Sequence, residues 1–273
     1  MRNTAKITTA VLAAGALTLG LSACGAGNSG SDGPLIVAAS PVPHAEILTY
    51  VKDDLAKKEG LDLEVKEFTD YTSQNPATQD GSVGANYFQN KPYLDDYNKK
   101  NGTDIVPVVT VHLEPLGLYS RKAEKAGDLK SGATVAVPND TVNEARALKL
   151  LAAHGLITLK EGVGNEATPS DITKNPKKLK FKELEAAQTP RSLDDVDAAV
   201  VNGNYAIESD LEPSKDALVL ESPKNNPYGN FLAVKKGQED DPRVKKLAKL
   251  LTSPEVKKFI QDKYADGSVL ASF

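Results

Sequence analysis

The chain has 273 residues, of which 40% are hydrophobic and 26% are charged, and its formal net charge is −4. These values are typical of a soluble globular protein long enough for two modest domains. Because the chain has no excess of basic residues, its charge excludes a basic surface that would bind nucleic acid or an anionic bilayer.

The N-terminal residues have the pattern of an export signal. Arg2 and Lys6 form a short basic region, and an apolar run follows from Ile7 to Leu21. This run is too short and wrongly flanked for a stable membrane span, so we predict a secretory signal over residues 1–23.

Cys24 is the only cysteine and directly follows Leu-Ser-Ala. Small residues before a cysteine at this point resemble the bacterial lipobox, in which the cysteine is lipidated and becomes the mature N-terminus. The alternative is an ordinary signal peptide that happens to contain a cysteine. Residues 25–33 contain only Gly, Ala, Asn, Ser and Asp, which is typical of a flexible tether between an anchor and a globular body.

A strand, a helix and a second strand follow in succession. Residues 35–39 are an apolar run, a helix is expected from about His44 to Gly60, and residues 61–66 alternate apolar and charged side chains. This order predicts a right-handed βαβ unit in a parallel sheet, and ligands bind beyond the carboxyl ends of such strands. Tyr71 follows the second strand, so it is a candidate ligand contact or, alternatively, a tyrosine packed on the surface.

The stretch from Gly84 to Tyr97 concentrates aromatic and amide side chains in a chain that is only 5% aromatic. The residues concerned are Asn86, Tyr87, Phe88, Gln89, Asn90 and Tyr93. Rings beside amides suit a small ligand with an apolar body and a polar end. The alternative is a strand leading into a surface helix, with Phe88 and Leu94 in the core.

Residues 105–111 predict a strand, and Pro107 places this strand at an edge or at a bend. We expect the chain to cross into a second α/β domain near residues 114–119. A second βα unit begins at residues 134–137, and Asp140 is a good N-cap for its helix.

Asn143 and Arg146 lie three residues apart on one face of this helix, near its N-terminus. Free backbone N–H groups beside an arginine fork would suit a carboxylate. The alternative is that Arg146 is a solvated helix residue.

The remaining elements continue the same pattern. Residues 160–178 should be mostly loop, and strands are expected at 179–184 and 197–201, the latter ending at Asn202. Ser192 is predicted to cap a short helix. Further strands at 218–220 and 231–234 flank a return crossing, and two helices, 242–251 and 254–264, close the chain.

The sequence contains no pattern that argues for an enzyme. It has no P-loop, no dinucleotide glycine fingerprint and no nucleophile elbow. His44, His112 and His154 are far apart and show no metal-ligand spacing, so we expect structural histidines, no metal and no cofactor.

Five blocks of sequence occur in a consistent order along the chain: PHAEIL at 43–48, FQ-KPYL at 88–94, VAVPND at 135–140, PRSLDD at 190–195 and NPY at 226–228. Together with the lipobox, these blocks resemble the methionine-binding lipoproteins of the NlpA type. Members of this family are the substrate-binding components of methionine ABC importers.

The resemblance implies an α/β, two-lobed periplasmic-binding-protein fold, in which two α/β domains are joined by two crossing segments. After the signal at 1–23 and a tether at 24–33, lobe I would comprise residues 34–116 and 226–273. Lobe II would comprise residues 117–225.

The resemblance also implies a binding site. Three aromatic residues would hold the thioether side chain: Tyr71, Phe88 and Tyr93. Arg146, next to Asn143, would pair with the ligand carboxylate. Three amides would hold the α-amino and carboxylate groups: Asn139, Asn202 and Asn230.

Asn90 departs from the family pattern, which usually has His at this position. Asn is smaller, does not titrate near neutral pH and offers an amide instead of a ring. We predict that Asn90 weakens methionine binding or shifts the preference toward another amino acid or a small peptide.

Two functions follow from the sequence. The first is a monomeric, extracytoplasmic solute-binding protein, held at the cell membrane through lipid on Cys24, that delivers L-methionine to the permease and ATPase subunits of an importer. The second is a surface lipoprotein with an altered or vestigial pocket and a role in adhesion or signalling.

Overall fold

The structure is a computed structural model that describes residues 33–273. The predicted signal, the lipidation site at Cys24 and nearly all of the tether lie outside the described residues. Within 33–273, no helix is both long and apolar enough to cross a membrane.

The described chain alternates short strands and helices. The strands are β1 Leu35–Ala39, β2 Leu63–Glu67, β3 Ala85–Asn90, β4 Ile105–Leu113, β5 Gly117–Tyr119, β6 Thr134–Pro138, β7 Thr158–Leu159, β8 Ile172–Lys174, β9 Lys180–Leu184, β10 Ala198–Val201, β11 Ala217–Leu220, β12 Asn230–Lys235 and β13 Leu270–Ala271. Helix α1 consists of the adjoining segments Pro41–Ala45, Glu46–Tyr50, Val51–Leu55 and Ala56–Glu59, and the first of them is interrupted by the extended backbone of Val42 (φ −125, ψ 137). The other helices are α2 Gln74–Asp80, α3 Lys91–Asn101, α4 Thr141–Ala153, α5 Gly203–Glu208, α6 Pro213–Asp216, α7 Pro242–Leu251 and α8 Pro254–Lys263.

The first sheet has six strands in the order β13-β4-β12-β3-β1-β2. Strand β1 is parallel to both β2 and β3, so the predicted βαβ unit is present. Gly60 ends α1 with a left-handed backbone (φ +60), which glycine adopts without steric cost. Apolar side chains of β1, α1, α7 and α8 pack into one core on this sheet.

Pro107 lies where the sequence places it, at an edge and at an irregularity. Strand β13 pairs only with the end of β4, at Leu113 and His112, so the Pro107 part of β4 has β12 as its single neighbour. The register of β12 against β4 shifts between Leu232 and Ala233, and Ala233 pairs with Pro107. Proline, which has no N–H group, is tolerated there because at this position the edge of β4 opposite β12 has no paired strand within residues 33–273 and so requires no hydrogen bond between strands.

The second sheet has five strands in the order β11-β5-β10-β6-β9. Strand β6 is parallel to β10 and β9, and β5 runs antiparallel to β10 and β11. The chain passes from the first sheet to the second between Leu113 and Gly117 and returns between Leu220 and Asn230. This is the two-lobed α/β architecture expected from the sequence. The exact lobe boundaries stay predictions.

One local prediction is wrong, and the segment predicted to be mostly loop over residues 160–178 contains one short strand. Ser192 does not cap a helix, because it lies inside the helical turn Pro190–Asp194 and its hydroxyl donates to the Thr189 carbonyl at 2.8 Å. The turn begins at Pro190, whose fixed φ suits the first helical position. The segment predicted as loop also contributes β8, which pairs with β7 in a small antiparallel sheet.

Candidate ligand-binding site

A narrow cavity lies where residues of both sheets meet. It is lined by Tyr71, Phe88, Gln89, Asn90, Glu114, Asn143, Arg146, Asn202, Gly203, Asn204 and Asn230. All of these except Tyr71, Phe88 and Gly203 carry an amide, a carboxylate or a guanidinium. The predominantly polar lining suits a small polar ligand.

Seven of the predicted binding residues line this cavity: Tyr71, Phe88, Asn90, Asn143, Arg146, Asn202 and Asn230. Tyr93 lies just behind the lining, with its ring 6.0 Å from that of Tyr71 and 5.9 Å from that of Phe88. The structure does not bring Asn139 to the cavity. The Asn139 backbone continues the pairing with β9, and its exposed side chain lies 3.4 Å from a carboxylate oxygen of Glu185.

Four lining residues are outside the set of binding residues that the resemblance implies: Gln89, which belongs to the stretch of aromatic and amide side chains, Glu114, Gly203 and Asn204. Gly203 and Asn204 directly follow the strand end at Asn202, so the strand-end rule could have included them. Gly203 is needed for close approach, since a Cβ atom there would lie 2.6 Å from Cβ of Glu114. Glu114 begins the first crossing segment, and no local pattern marks it as functional.

Helix α4 supplies a directed chain of hydrogen bonds to the cavity. Asp140 caps the helix as predicted, because its side chain accepts from the Asn143 N–H at 2.9 Å. The Asn143 amide donates to both Asp140 oxygens, and the Asn202 amide donates to Asn143 Oδ1 at 3.0 Å. The buried Asn202 Oδ1 therefore remains without a partner within residues 33–273, as an acceptor at the cavity.

A second amide at the cavity has the opposite polarity. The Tyr71 hydroxyl donates to Asn204 Oδ1 at 2.5 Å, which turns the amide nitrogen of Asn204 away from Tyr71. This buried nitrogen has no hydrogen-bond partner in the described part of the chain. Because a buried, unpaired polar atom is costly, the two amides together indicate a ligand that offers both a donor and an acceptor.

Arg146 is buried and touches both crossing segments. Its Nε and Nη2 donate to the Glu221 carboxylate at 2.9 and 2.5 Å, and Nη2 also donates to the Glu114 carbonyl at 3.1 Å. The guanidinium stacks 4.1 Å from the centre of the Tyr228 ring. Burial opposes the ionisation of Glu221, but the hydrogen bonds and the charge of Arg146, together with hydrogen bonds from Asn226 and the Leu116 N–H, outweigh it and lower the pKa of this carboxyl.

His44 and His112 are far apart in sequence but adjacent in space, with ring centroids 4.7 Å apart. His112 Nε2 lies 2.6 Å from Glu114 Oε1, and His44 Nε2 lies 3.4 Å from the same oxygen. Burial lowers the pKa of His44 to about 4 and that of His112 to about 3, so both imidazoles are uncharged at neutral pH. Burial also raises the pKa of Glu114.

These three residues offer ligand atoms that all lie within 4.8 Å of one another, which prompts a test for a metal site. Two ligands of a tetrahedral zinc ion are separated by roughly 3.3 Å, given metal–ligand bonds of about 2.0–2.1 Å. The 2.6 Å between His112 Nε2 and Glu114 Oε1 is a hydrogen-bond distance instead. In this geometry His112 is a hydrogen-bond partner of Glu114, and His44 is a hydrogen-bond partner of Asn230.

Two tyrosines connect the first and second sheets beside the cavity. Tyr71 donates to Asn204 of α5, and Tyr205 of α5 donates in return to the Thr69 carbonyl at 3.2 Å. The two rings lie 4.9 Å apart. The loop after β2 and helix α5 are thus joined by hydrogen bonds that run in both directions.

A two-lobed α/β fold with a small polar cavity between the lobes defines the class of substrate-binding proteins. A family model described as NlpA lipoprotein matches residues 35–273. The chain belongs to the NlpA lipoprotein family, and the resemblance seen in the sequence is confirmed.

The relatives are similar along nearly their whole length. The chain is 44% identical over 257 residues to "Methionine-binding lipoprotein MetQ" of Bacillus subtilis (strain 168), covering 92% of this chain and 93% of the relative. It is 40% identical over 260 residues to "D-methionine-binding lipoprotein MetQ" of Escherichia coli (strain K12), covering 94% and 96%. A solved structure of a nutrient binding protein from Burkholderia cenocepacia bound to methionine is 48% identical, with a TM-score of 0.84, covering 88% of this chain and 100% of that chain.

Proposed function

We propose that this protein is a lipid-anchored, extracytoplasmic solute-binding protein that captures methionine and delivers it to an ABC importer. The observation that carries the proposal is the set of unpaired, buried polar atoms at the cavity. Asn202 Oδ1 is an acceptor and Asn204 Nδ2 is a donor, and neither has a partner within residues 33–273. A free amino acid supplies both complements, since its ammonium donates and its carboxylate accepts.

The charged groups of the cavity fit the same zwitterion. The ligand carboxylate would lie toward Arg146 and the Asn204 amide, where a guanidinium can give charge-assisted hydrogen bonds. The ammonium would lie toward Asn202 Oδ1 and the carboxylate of Glu114. Glu221 engages only Nε and Nη2 of Arg146, so Nη1 is outside that ion pair.

The aromatic residues support a thioether side chain. The rings of Tyr71, Phe88 and Tyr93 lie within about 6 Å of one another, centroid to centroid. A sulfur atom packed against such rings is stabilised by about 0.3–1.5 kcal/mol beyond the burial of its apolar surface. Relatives named as methionine-binding and as D-methionine-binding proteins support this side chain and leave both enantiomers to be measured.

Asn90 contributes to the structure of the site as well as to its lining. Its side-chain oxygen accepts from the Tyr93 N–H at 3.1 Å and so caps helix α3. A cap fixes the start of the helix that carries Tyr93. The shift in ligand preference caused by Asn90 stays a prediction.

The cellular context is inferred from the family. Relatives named as lipoproteins support membrane association, and we infer that lipid on Cys24 holds a monomeric body on the extracytoplasmic face. The partners would be the permease and ATPase subunits of the importer. Because the members of this family are binding proteins, we infer that the chain is not an enzyme.

The test is a binding screen of residues 25–273 after unfolding and refolding to remove any bound ligand. L-methionine, D-methionine, the other amino acids and a few methionyl peptides are compared by thermal shift and calorimetry. A ligand at 100 times its Kd stabilises the native state by about 2.7 kcal/mol, so a methionine-specific shift is expected. A folded protein that responds to none of these compounds would contradict transport and favour a vestigial pocket.

A further inference from the structure

Behind the cavity lies a cluster of five buried polar residues, with exposures of 0% for Tyr87, 0% for His112, 1% for His44, 5% for Glu114 and 8% for Asn230. Glu114 and Asn230 reach the cavity, whereas the other three have no place in the ligand contacts proposed above. Burying a polar group costs free energy unless the group forms a hydrogen bond. Each hydrogen bond within this cluster therefore has a donor and an acceptor that its geometry assigns.

The first hydrogen bond of the cluster is made by Tyr87. Its hydroxyl bonds to His112 Nδ1, and His112 Nε2 bonds to Glu114 Oε1 at 2.6 Å. A carboxylate can only accept, so Nε2 of His112 carries the proton and Nδ1 accepts from the tyrosine. Tyr87 therefore selects the tautomer that His112 needs in order to hold Glu114.

His44 connects the cluster to Asn230 by a further hydrogen bond. His44 Nε2 lies 3.1 Å from Asn230 Oδ1 and 3.4 Å from Glu114 Oε1. With oxygens on both sides, this nitrogen also carries a proton and donates, and the buried His44 Nδ1 is left without a hydrogen-bond partner within residues 33–273. The Asn230 oxygen is thereby turned toward His44, and its amide nitrogen is left with one long bond, 3.4 Å, to the Tyr228 carbonyl.

The cluster supplies hydrogen bonds without supplying positive charge. Both imidazoles are uncharged at neutral pH because burial depresses their pKa values. Arg146 donates to the backbone carbonyl of Glu114 and pairs its charge with the Glu221 carboxylate. Within residues 33–273 an ionised Glu114 thus forms no ion pair with Lys or Arg. The charge of Arg146 and the Asn204 backbone N–H favour the ionised form, but burial outweighs them, so the carboxylate is costly to keep ionised.

We propose that His112 and His44 are positioning residues that hold the Glu114 carboxylate and the Asn230 amide so that the site accepts only ligands with a free α-ammonium group. The inference rests on the proposed function and deepens it, because it names the chemical class that the site selects. A ligand without the ammonium group would leave the buried Glu114 carboxylate without an ion-pair partner. The matched probe is 4-(methylthio)butanoate, which has the thioether and the carboxylate of methionine but no amino group.

The experiment compares the affinities of L-methionine and 4-(methylthio)butanoate by calorimetry on the refolded protein. We expect the wild type to prefer methionine by on the order of 100-fold, since hydrogen bonds to charged groups contribute about 1.5–3 kcal/mol each. His112→Leu removes the donor to Glu114 and should reduce this preference about tenfold, mainly by weakening methionine. His112→Gln, whose amide can donate in the place of Nε2, should restore most of the preference.

Two further variants keep the test decisive. Tyr87→Phe removes only the hydroxyl that fixes the His112 tautomer, so it should lower the preference about threefold to tenfold even if His112→Leu does not fold. His154→Leu is the control, because His154 is exposed and outside the cluster, and both affinities should be unchanged.

The outcomes separate the two proposals. Equal losses for both ligands in His112→Leu, or an unchanged preference in Tyr87→Phe, would show a purely structural role and overturn the inference. A wild type that binds no amino acid at all would instead overturn the proposed function.

Discussion

The two walls of the cavity are built in different ways. On the lobe II wall, Asp140, Asn143 and Arg146 lie on one helix, and Asn202 and Asn204 follow one strand. On the lobe I wall, the cluster that holds Glu114 and Asn230 comes from α1, β3, β4, the first crossing and β12. The first wall is set by local sequence, and the second exists only once distant segments have folded together.

This difference predicts how each wall responds to substitution. A side chain on the lobe II wall can be removed while its helix or strand persists, so binding should suffer more than folding. On the lobe I wall each polar group is the partner of another buried group, so stability and selectivity should change together. Arg146 is the exception on its wall, because it joins both crossing segments.

The largest effect is expected for Arg146→Ala. The substitution removes the proposed partner of the ligand carboxylate and leaves Glu221 unpaired, and breaking a buried ion pair costs about 3–5 kcal/mol. Methionine affinity should fall by on the order of 100-fold or more, and the melting temperature should also fall. Calorimetry and thermal unfolding measure both.

The control for Arg146 is Glu221→Gln. This change removes the ion pair but retains the guanidinium, so methionine binding should survive in it. Loss of binding in both variants would mean that Arg146 acts on the geometry of the crossing segments and does not contact the ligand.

Glu114→Gln should change binding and stability together, but in opposite directions. Replacing the proposed partner of the ammonium should weaken methionine about tenfold to 100-fold. Because burial raises the folded-state pKa of Glu114, its stabilising contribution is full below the unfolded value of about 4.5 and is lost as the pH rises through the folded-state pKa.

Gln does not ionise, so the refolded Glu114→Gln protein without ligand should match the wild type at low pH and exceed its stability at higher pH. Thermal unfolding from pH 4 to pH 8 measures this difference. A variant that is less stable than the wild type throughout this range would contradict the expectation that the buried Glu114 carboxylate lacks an ion-pair partner.

Tyr205→Phe tests the contacts between the walls. It deletes one hydrogen bond, to the Thr69 carbonyl, and such a bond contributes about 0.5–1.5 kcal/mol. Methionine should dissociate about threefold to tenfold faster, as stopped-flow fluorescence would show. Tyr50→Phe is the matched control, because Tyr50 stacks on Phe259 away from the cavity, and its dissociation rate should equal that of the wild type.

The smallest effect is expected for Asn90→His. It restores the residue usual in the family, so methionine affinity should rise a few-fold, whereas loss of the cap on α3 should cost about 1 kcal/mol of stability. Equal methionine affinities in the two proteins would refute the idea that Asn90 weakens or redirects binding.

Local sequence patterns were enough to specify about half of the site. The Asp140 cap, the spacing of Asn143 and Arg146, the strand end at Asn202 and the edge position of Pro107 all depend on residues a few positions apart. Such features follow from helix capping and from the periodicity of helices and strands. The five sequence blocks also carry the family resemblance on their own, because their order along the chain is independent of how the chain folds.

The meeting of distant groups depends on the folded chain. Folding brings His44 and His112 onto Glu114, pairs Arg146 with Glu221 and joins Tyr71 to Asn204, while it leaves Asn139 exposed. These contacts depend on strand order and on where the chain crosses between the sheets. No short-range pattern encodes that information, because each contact is fixed by the packing of whole elements against one another.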